Sequence, residues 1–167
     1  TSSTASATSQ AVRFHIEKAP LCIRAKGKTI TYGETLSDNG AEINGFVNNE
    51  NENVLSGLNY AFDYAQFSDI GTYTIIPMAA KAENYKITYE NGVLNVQPKP
   101  VEIKWNGESI FYYDGTPKLV TAEAIGAVNG DALTVIIEDG SRTETGSYTA
   151  RAAALAGGKA GNYVLPE

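Results

Sequence analysis

A histidine and a cysteine come first among the residues that could do chemistry, because a Cys–His pair can form a nucleophilic site. His15 and Cys22 are the single His and the single Cys of the 167-residue chain. In the internal repeat described below they align with Asn95 and Glu102, at strand positions that face solvent. No third side chain is placed to orient the imidazole, so we expect two surface residues and no catalytic pair. The same counts exclude an intrachain disulfide and a Cys/His zinc site.

Oxygen-bearing side chains form one dense run, Asn48-Asn49-Glu50-Asn51-Glu52-Asn53. Such oxygens suit calcium, but the run lacks the Asp spacing and the closing Glu of an EF-hand loop. A solvated loop is therefore expected. Glycoside hydrolysis needs two carboxylates in one cleft, and nothing in the sequence brings any two of the 19 acidic residues together in this way. The sequence thus predicts no catalytic residue, no metal site and no cofactor.

An aromatic group consisting of Trp105, Phe111, Tyr112 and Tyr113 is the better candidate for a binding function. Aromatic side chains on a strand and its turn can stack on sugar rings or anchor a protein contact. Ile110, which precedes three of them, aligns with Ile30 and is expected in the core. We take Trp105, Tyr112 and Tyr113 as the candidate ligand-binding residues.

Composition limits the elements that can position these residues. The chain is 43% hydrophobic and 19% charged, which excludes a disordered tail, and no apolar run is long enough to span a bilayer. A net charge of −6 argues against binding to nucleic acid or to anionic membranes. Sixteen Gly and ten Tyr favour strands and tight turns. An all-β fold is predicted.

The chain repeats itself. Residues 20–30 lie over residues 100–110 without a gap, at an offset of 80. Later matches keep the same order with slightly smaller offsets: Gly71-Thr72-Tyr73 with Gly146-Ser147-Tyr148, and Asn84-Tyr85 with Asn162-Tyr163. We predict two small tandem β-rich modules, either immunoglobulin-like sandwiches or β-grasp-like folds.

The repeat also sets the predicted boundaries. Residues 20–98 form the first module and residues 99–167 the second, joined by the stiff, proline-containing stretch 97–100. Residues 1–10 are expected to be a flexible linker. Residues 11–19 align with the closing strand of a module, whereas the second module is expected to lack that strand. Residues 11–17 of one chain could pair with the open edge of the second module in another, fold back on the first module, or remain unpaired.

Alternation of apolar and polar residues predicts the strands and their faces. Leu21, Ile23, Val101, Ile103 and Ile110 should point inward, and Cys22, Arg24, Glu102 and Lys104 outward. Residues 109–113 and 147–153 are among the predicted strands of the second module. Asn91-Gly92 predicts a hairpin between the last two strands of the first module.

The first module resembles the MBG domain of the YGX type, through Ile30-Thr31-Tyr32-Gly33, Gly71-Thr72-Tyr73, Glu83-Asn84-Tyr85 and Gly92-Val93-Leu94-Asn95-Val96. The second resembles the related YDG module, through Tyr113-Asp114-Gly115-Thr116, Val128-Asn129-Gly130-Asp131, Gly146-Ser147-Tyr148 and Gly161-Asn162-Tyr163. One departure is that Gly45-Phe46-Val47 and the Asn/Glu-rich run stand where the second module has Asn129-Gly130-Asp131.

Such modules occur in tandem in large bacterial surface adhesins, and the resemblance brings no catalytic residue with it. It implies a non-catalytic structural and adhesive segment of a secreted or cell-surface protein. The implied partners are neighbouring repeats of the same polypeptide and a host glycoprotein or glycan. The alternative is a carbohydrate-binding accessory module of a secreted polysaccharide-degrading enzyme, which would use the surface around Trp105 and Tyr112.

Overall fold

The computed structural model describes residues 4, 10–37, 40–107 and 109–166. Apart from two single-turn 3-10 helices, Glu52–Val54 and Ala160–Asn162, its regular elements are strands, so the predicted all-β class is confirmed. The predicted flexible linker falls mainly on residues outside the described ranges. Residues 11–18 are described and contain no strand.

The described residues of the range 19–97, called here the first half, contain seven strands. They are β1 (Ala19–Ala25), β2 (Lys28–Thr31), β3 (Ala41–Asn44), β4 (Asn59–Phe62), β5 (Gly71–Met78), β6 (Tyr85–Glu90) and β7 (Gly92–Gln97).

The seven strands form two sheets that pack as a sandwich. One sheet has the order β3-β1-β6 and the other β2-β7-β5-β4, and β1 and β6 of the first contact β5 of the second. Along β7 the residues alternate between buried and exposed, which is the period-two pattern of a strand with one covered face. Ile23 and Leu94 are fully buried between the sheets.

The Asn91-Gly92 hairpin prediction is wrong. β6 pairs in parallel with β1, whereas β7 pairs in parallel with β2 and antiparallel with β5, so the chain changes sheet at Asn91. Gly92 passes very close to the main chain of β1, because a Cβ there would lie 2.7 Å from the carbonyl oxygen of Ala25. The glycine serves this close approach instead of a two-residue turn.

The described residues of the range 99–164, the second half, contain eight strands. They are β8 (Lys99–Pro100), β9 (Glu102–Asn106), β10 (Lys118–Leu119), β11 (Thr121–Ile125), β12 (Thr134–Glu138), β13 (Ser141–Arg142), β14 (Arg151–Ala156) and β15 (Tyr163–Val164).

The pairings of the second half repeat those of the first. β8 and β15 are parallel with Lys99 opposite Tyr163, as β1 and β6 are parallel with Ala19 opposite Tyr85. The antiparallel pairs β9–β11 and β12–β14 correspond to β1–β3 and β4–β5. Among the described strands, none of residues 19–97 shares a sheet with one of residues 99–164.

Most predicted side-chain directions hold. Leu21, Ile23 and Val101 are buried, and Ile103 is half-buried. Arg24, Glu102 and Lys104 are exposed and Cys22 is half-buried. The prediction that Ile110 points inward is wrong, because 69% of its surface is exposed.

Two predicted strands of the second half are absent or shortened. Residues 109–113 form no strand, and the strand predicted over residues 147–153 begins only at Arg151, where β14 finds its partner β12. In the first half the corresponding residues pair with β7. No described residue of the second half occupies the place of β7, so these segments lack the neighbour that would make them strands.

Candidate functional site

The three aromatic candidates line one open groove in the second half. Trp105 lies in β9 opposite Ala122, and 45% of its surface is exposed. Tyr112 and Tyr113 follow in the segment after β9 and are 85% and 62% exposed. The groove has a volume of ≈ 740 Å³ and is also lined by residues 146–150. The structure thus brings together the three residues that the sequence singled out.

Two further residues of the groove were missed as candidates. The guanidinium carbon of Arg142 lies 5.3 Å from the centre of the Tyr148 ring, within cation–π distance. The Tyr148 hydroxyl donates to the carbonyl oxygen of Glu144 (3.2 Å), as the Tyr73 hydroxyl donates to that of Asp69 (2.6 Å) in the first half. The repeated Gly-x-Tyr motif could have pointed to Tyr148. No sequence signal pointed to Arg142.

The groove is lined by charged as well as aromatic side chains. The carboxylate of Asp139 is paired with Arg142 at 2.5 Å. Glu144, Lys118 and Asn106 also line the groove, together with aromatic, aliphatic and hydroxyl-bearing residues. Over the part of the chain that the structure describes, no three His, Cys, Asp or Glu residues come close enough to hold a metal ion.

His15 and Cys22 have separate partners. His15 Nε2 lies 3.1 Å from a carboxylate oxygen of Glu17, with both side chains exposed. The Cys22 thiol lies 3.5 Å from a carboxylate oxygen of Glu90. Hydrogen bonding from Arg24, and then from Cys22, lowers the pKa of Glu90. The structure does not assemble a Cys–His site.

The Asn-rich run begins with a tight turn. Asn48 and Asn49 have φ values of 54° and 56°, and the amide of Glu50 donates to the carbonyl oxygen of Val47 at 3.0 Å. Asn tolerates this left-handed backbone better than most residues. The Tyr85 hydroxyl accepts from the Val47 amide (3.1 Å) and donates to the Glu50 carboxylate. The run therefore forms part of the framework around Tyr85.

The same arrangement recurs in the second half, which corrects the predicted alignment of this region. The Asp131 amide donates to the carbonyl oxygen of Val128 (3.0 Å) across Asn129 and Gly130, whose φ values are 56° and 72°. The Tyr163 hydroxyl accepts from the Val128 amide (3.0 Å) and donates to Asp131 (2.7 Å). Residues 128–131 therefore correspond to residues 47–50, and the difference between the halves begins after this turn.

Asp131 also joins the two halves. Its Oδ2 atom accepts a second hydrogen bond, at 2.9 Å, from the hydroxyl of Tyr32 in the first half. The Tyr32 and Tyr163 rings meet edge to face with their centres 5.3 Å apart, and only 1% and 6% of their surfaces are exposed. Burial raises the pKa of both hydroxyls, that of Tyr163 to about 12, and the bonds to Asp131 add to this effect.

A second group of polar contacts lies beside these tyrosines. Asp69 Oδ1 accepts from the ammonium of Lys159 (2.6 Å) and from the side-chain amide of Asn162 (2.8 Å). The Asn162 side-chain oxygen in turn accepts from the Ile70 amide at 2.9 Å. Lys159, followed by Asn162, lowers the pKa of Asp69. We call these contacts, together with Tyr32, Asp131 and Tyr163, the junction.

Comparison with known families finds a match to part of the chain. Residues 21–95 match the family model of the MBG domain (YGX type). No curated protein and no solved structure matches the chain. The described residues contain no helix with the length and apolarity that a membrane span requires.

The MBG match covers most of β1, all of β2 to β6 and most of β7, and so supports the first-module resemblance. Within it lie Tyr32, Asp69 and Ile70, which are the first half's share of the junction. Trp105, Tyr112 and Tyr113 lie outside the matched residues. For the second half, the YDG resemblance remains a prediction that rests on its motifs.

Proposed function

We propose that the chain is a non-catalytic structural and adhesive segment of a large secreted or cell-surface bacterial protein, composed of two tandem modules. The observation that carries this is the MBG match over residues 21–95, since MBG domains are found in adhesin-like surface repeat proteins. The recurrence of the same strand pairings and Tyr–carboxylate contacts in residues 99–164 supports a second module of related type.

The junction supports a role in extension and stiffness. Only Pro98 separates β7 from β8, and Gln97 is held by a hydrogen bond from the Tyr32 amide to its carbonyl oxygen at 2.9 Å. Val101 and Tyr163 pack in one apolar cluster with residues of the first half. A linker fixed on both sides, together with buried tyrosines and a Lys–Asp pair, restrains hinge motion between the halves.

The perturbed side chains favour a structural role over a catalytic one. The carboxyl groups of Asp69, Glu90 and Asp114 have lowered pKa values because each is hydrogen-bonded first to a cation, Lys159, Arg24 and Lys118 respectively. Each therefore stays ionised near neutral pH, in an ion pair that is largely exposed. An enzyme's acid or base is more often shifted toward neutrality.

Small-angle X-ray scattering of the whole chain tests the proposed stiffness. We expect a distance distribution with one well-defined separation between the halves. A broad distribution fitted only by many relative orientations of the halves would contradict the proposal.

A carbohydrate-binding accessory module is a second candidate, favoured by the exposure of Trp105, Tyr112 and Tyr113 in one groove. A glycan array on the whole chain tests it. Micromolar binding that is lost in Trp105→Ala and kept in Trp105→Phe would support a stacking site. Absence of binding across the array would remove this candidate and leave the structural role.

A further inference from the structure

The first half ends in a socket that receives the second half. Gly33 lies so close to Val128 that a Cβ on this glycine would be 2.9 Å from the valine Cγ2 atom. The Phe67 ring forms the next wall, 3.5 Å from the same position, and meets Tyr32 edge to face with ring centres 6.4 Å apart. Together with the two polar contributors to the junction these residues form the socket, which consists of Tyr32, Gly33, Phe67, Asp69 and Ile70.

The wall of the socket is held in position by contacts within the first half. Phe67 has a φ of 67°, a left-handed backbone that is rare for a bulky residue. The Ser68 amide donates to the carbonyl oxygen of Ala65 (2.9 Å), and the Ala65 amide donates to the Ser68 hydroxyl (3.2 Å). The Gln66 side-chain amide donates to the carbonyl oxygen of Gly33 at 2.9 Å. The strained residue is therefore fixed beside Gly33 by its own module.

The second half meets the socket with a matching set of groups. Val128 lies against Gly33 and packs with Phe67 on the same apolar cluster. Asp131 accepts from the Tyr32 hydroxyl, and the Asn162 side chain both donates to the socket and accepts from it. We call the whole set the docking face, and it consists of Val128, Asn129, Gly130, Asp131, Lys159, Asn162 and Tyr163.

The first half carries a face of the same composition at its other end. The socket lies where β2 and β7 end, and this second face lies where β1 and β6 begin. Five of the seven residue types are identical, Asn replaces Gly at one position with positive φ, and Glu replaces Asp as the carboxylate. The seven residues are Val47, Asn48, Asn49, Glu50, Lys81, Asn84 and Tyr85.

The two faces also have the same internal geometry. The Tyr85 hydroxyl accepts from the Val47 amide at 3.1 Å and donates to the Glu50 carboxylate, as the counterparts in the second half do. The main chain of Lys81 is fixed by two hydrogen bonds with that of Ser56, at 2.8 Å and 3.0 Å. These bonds lie within the first half, so the face has its shape before it meets a socket, which lowers the cost of docking.

We propose that the socket is a selective docking site for modules that carry this face, and that the face of the first half belongs to the class that the socket accepts. The partner of the site is thus the end of a β-rich module, recognised by a turn with valine first and a carboxylate fourth, and by a Lys-x-x-Asn-Tyr segment. This inference rests on the structural role proposed above and adds to it the rule by which one module accepts the next.

Burial decides which groups of the face matter most for selection. Only 1% of the Tyr32 surface is exposed, so a face without the carboxylate would leave its hydroxyl buried and unpaired. A side chain larger than valine would collide with Gly33 and Phe67. The pair between Lys159 and Asp69 is largely exposed, and such pairs add little to affinity. The valine and the carboxylate therefore carry most of the selectivity.

Exchange of the face within the whole chain tests the proposal. Gly130→Asn with Asp131→Glu gives the second half the residue types of the first at all seven positions. Small-angle scattering of this variant should show the same single separation between the halves as the wild-type chain. Val128→Arg is the contrasting variant, because its main-chain bonds remain while the longer side chain does not fit the socket. Its well-defined separation should be lost.

Two outcomes of this exchange would overturn the proposal. If Gly130→Asn with Asp131→Glu loses the separation as Val128→Arg does, the socket does not accept the face of the first half. If Val128→Arg keeps the separation, the socket does not select the valine.

A chain with a second copy of residues 19–98 inserted between Pro98 and Lys99 tests the docking directly. The insertion brings the face of the inserted copy against the socket of the original one and keeps every residue of the chain. Scattering should show one additional well-defined separation, equal to that between the halves of the wild-type chain.

Two substitutions in the inserted copy show whether the face makes the contact. Val47→Arg should abolish the additional separation. Val93→Arg is the matched control, because Val93 is 48% exposed in β7 and belongs to neither the face nor the socket, and it should leave the separation unchanged. Circular dichroism and urea unfolding check that the modules of each variant are folded.

The failure of this inference is distinguishable from the failure of the structural role. A loosely attached inserted copy, beside a single separation in the wild-type chain, would overturn the inference and leave the stiffness of the original pair standing. An additional separation that survives Val47→Arg would also overturn it, because the contact would then lie elsewhere. A broad distribution in the wild-type chain itself would contradict both.

Discussion

At the scale of single residues, one carboxylate organises the junction. Asp131 Oδ2 accepts hydrogen bonds from Tyr32 and Tyr163, which come from different halves of the chain. Both hydroxyls are shielded from water, and ionising either would place a second negative charge beside the carboxylate. The protonated tyrosines are therefore the form that the folded chain requires.

Alkaline pH should destabilise the fold through Tyr163. Its folded pKa of about 12 lies above the ordinary value of 10.0, so its contribution is present below pH 10 and is lost as the pH rises toward 12. Urea unfolding midpoints measured between about pH 9 and about pH 12 should fall, and less steeply in Tyr163→Phe. Tyr112→Phe, at an exposed hydroxyl, is the control and should follow the wild-type curve. Identical slopes for all three proteins would exclude Tyr163 as a source of the effect.

At the scale of strands, whether a segment forms a strand depends more on its neighbouring strands than on its own sequence pattern. Period-two alternation was sufficient to predict β1, β5 and β7, because each has its partners within the described chain. Residues 109–113 were also predicted as a strand and form none, since their neighbour is not present among the described residues. Nothing local in Asn91-Gly92 reveals that β6 and β7 belong to different sheets.

The candidate site, like the strands, was only partly predictable from the sequence. Trp105, Tyr112 and Tyr113 could be named because exposed aromatic residues near a turn stand out in a sequence. The Tyr32–Asp131 contact joins residues 99 positions apart. Both residues lie in motifs that the sequence shows, but nothing in either motif indicates that the two meet, and only the folded structure brings them together.

Gly92→Ala should destabilise the first half by roughly 1–3 kcal/mol. The added Cβ would lie 2.7 Å and 2.8 Å from the carbonyl oxygens of Ala25 and Lys26, which belong to packed main chain. Gly158→Ala is the matched control, because a Cβ there meets nothing within 4 Å and its change should stay within about 0.5 kcal/mol. Urea denaturation of the whole chain measures both. Equal effects would show that the sheet crossing at residue 92 tolerates a side chain.

At the scale of the whole molecule, the junction makes the arrangement of the two halves depend on pH. The pKa of Asp69 in the folded chain lies below its ordinary value of 3.8, because Lys159 and Asn162 bind the carboxylate. Its contribution is therefore complete above pH 3.8 and is lost as the pH falls through the lower, folded value. The contacts of Asp69 with Lys159 and Asn162 are therefore sensitive to acid.

Acid should therefore loosen the arrangement of the halves. Small-angle scattering in a pH series descending from about pH 7 should show the distribution of distances widen as the pH falls through the folded pKa of Asp69. Asp69→Asn should shift the neutral-pH distribution toward the acid one. Asp139→Asn, which breaks a surface pair with Arg142 inside the second half, is the control and should leave it unchanged. A distribution insensitive to acid in the wild-type chain would count against this role of Asp69.

The parallel pairings of β1 with β6 and of β2 with β7 determine how the first half responds to tension. A load applied at Ala19 and Gln97 first draws β1 back toward the start of the chain, in shear against its parallel partner β6. Where the load passes on to β2, the pull against β7 is again a shear, which loads the bridges from Lys28–Leu94 to Thr31–Gln97 together. Single-molecule force spectroscopy should show one high rupture event for this half, lowered in Gly92→Ala. Gradual opening at low force would mean peeling, one bond at a time. A segment that fails by shear holds its length until a threshold force and then yields abruptly.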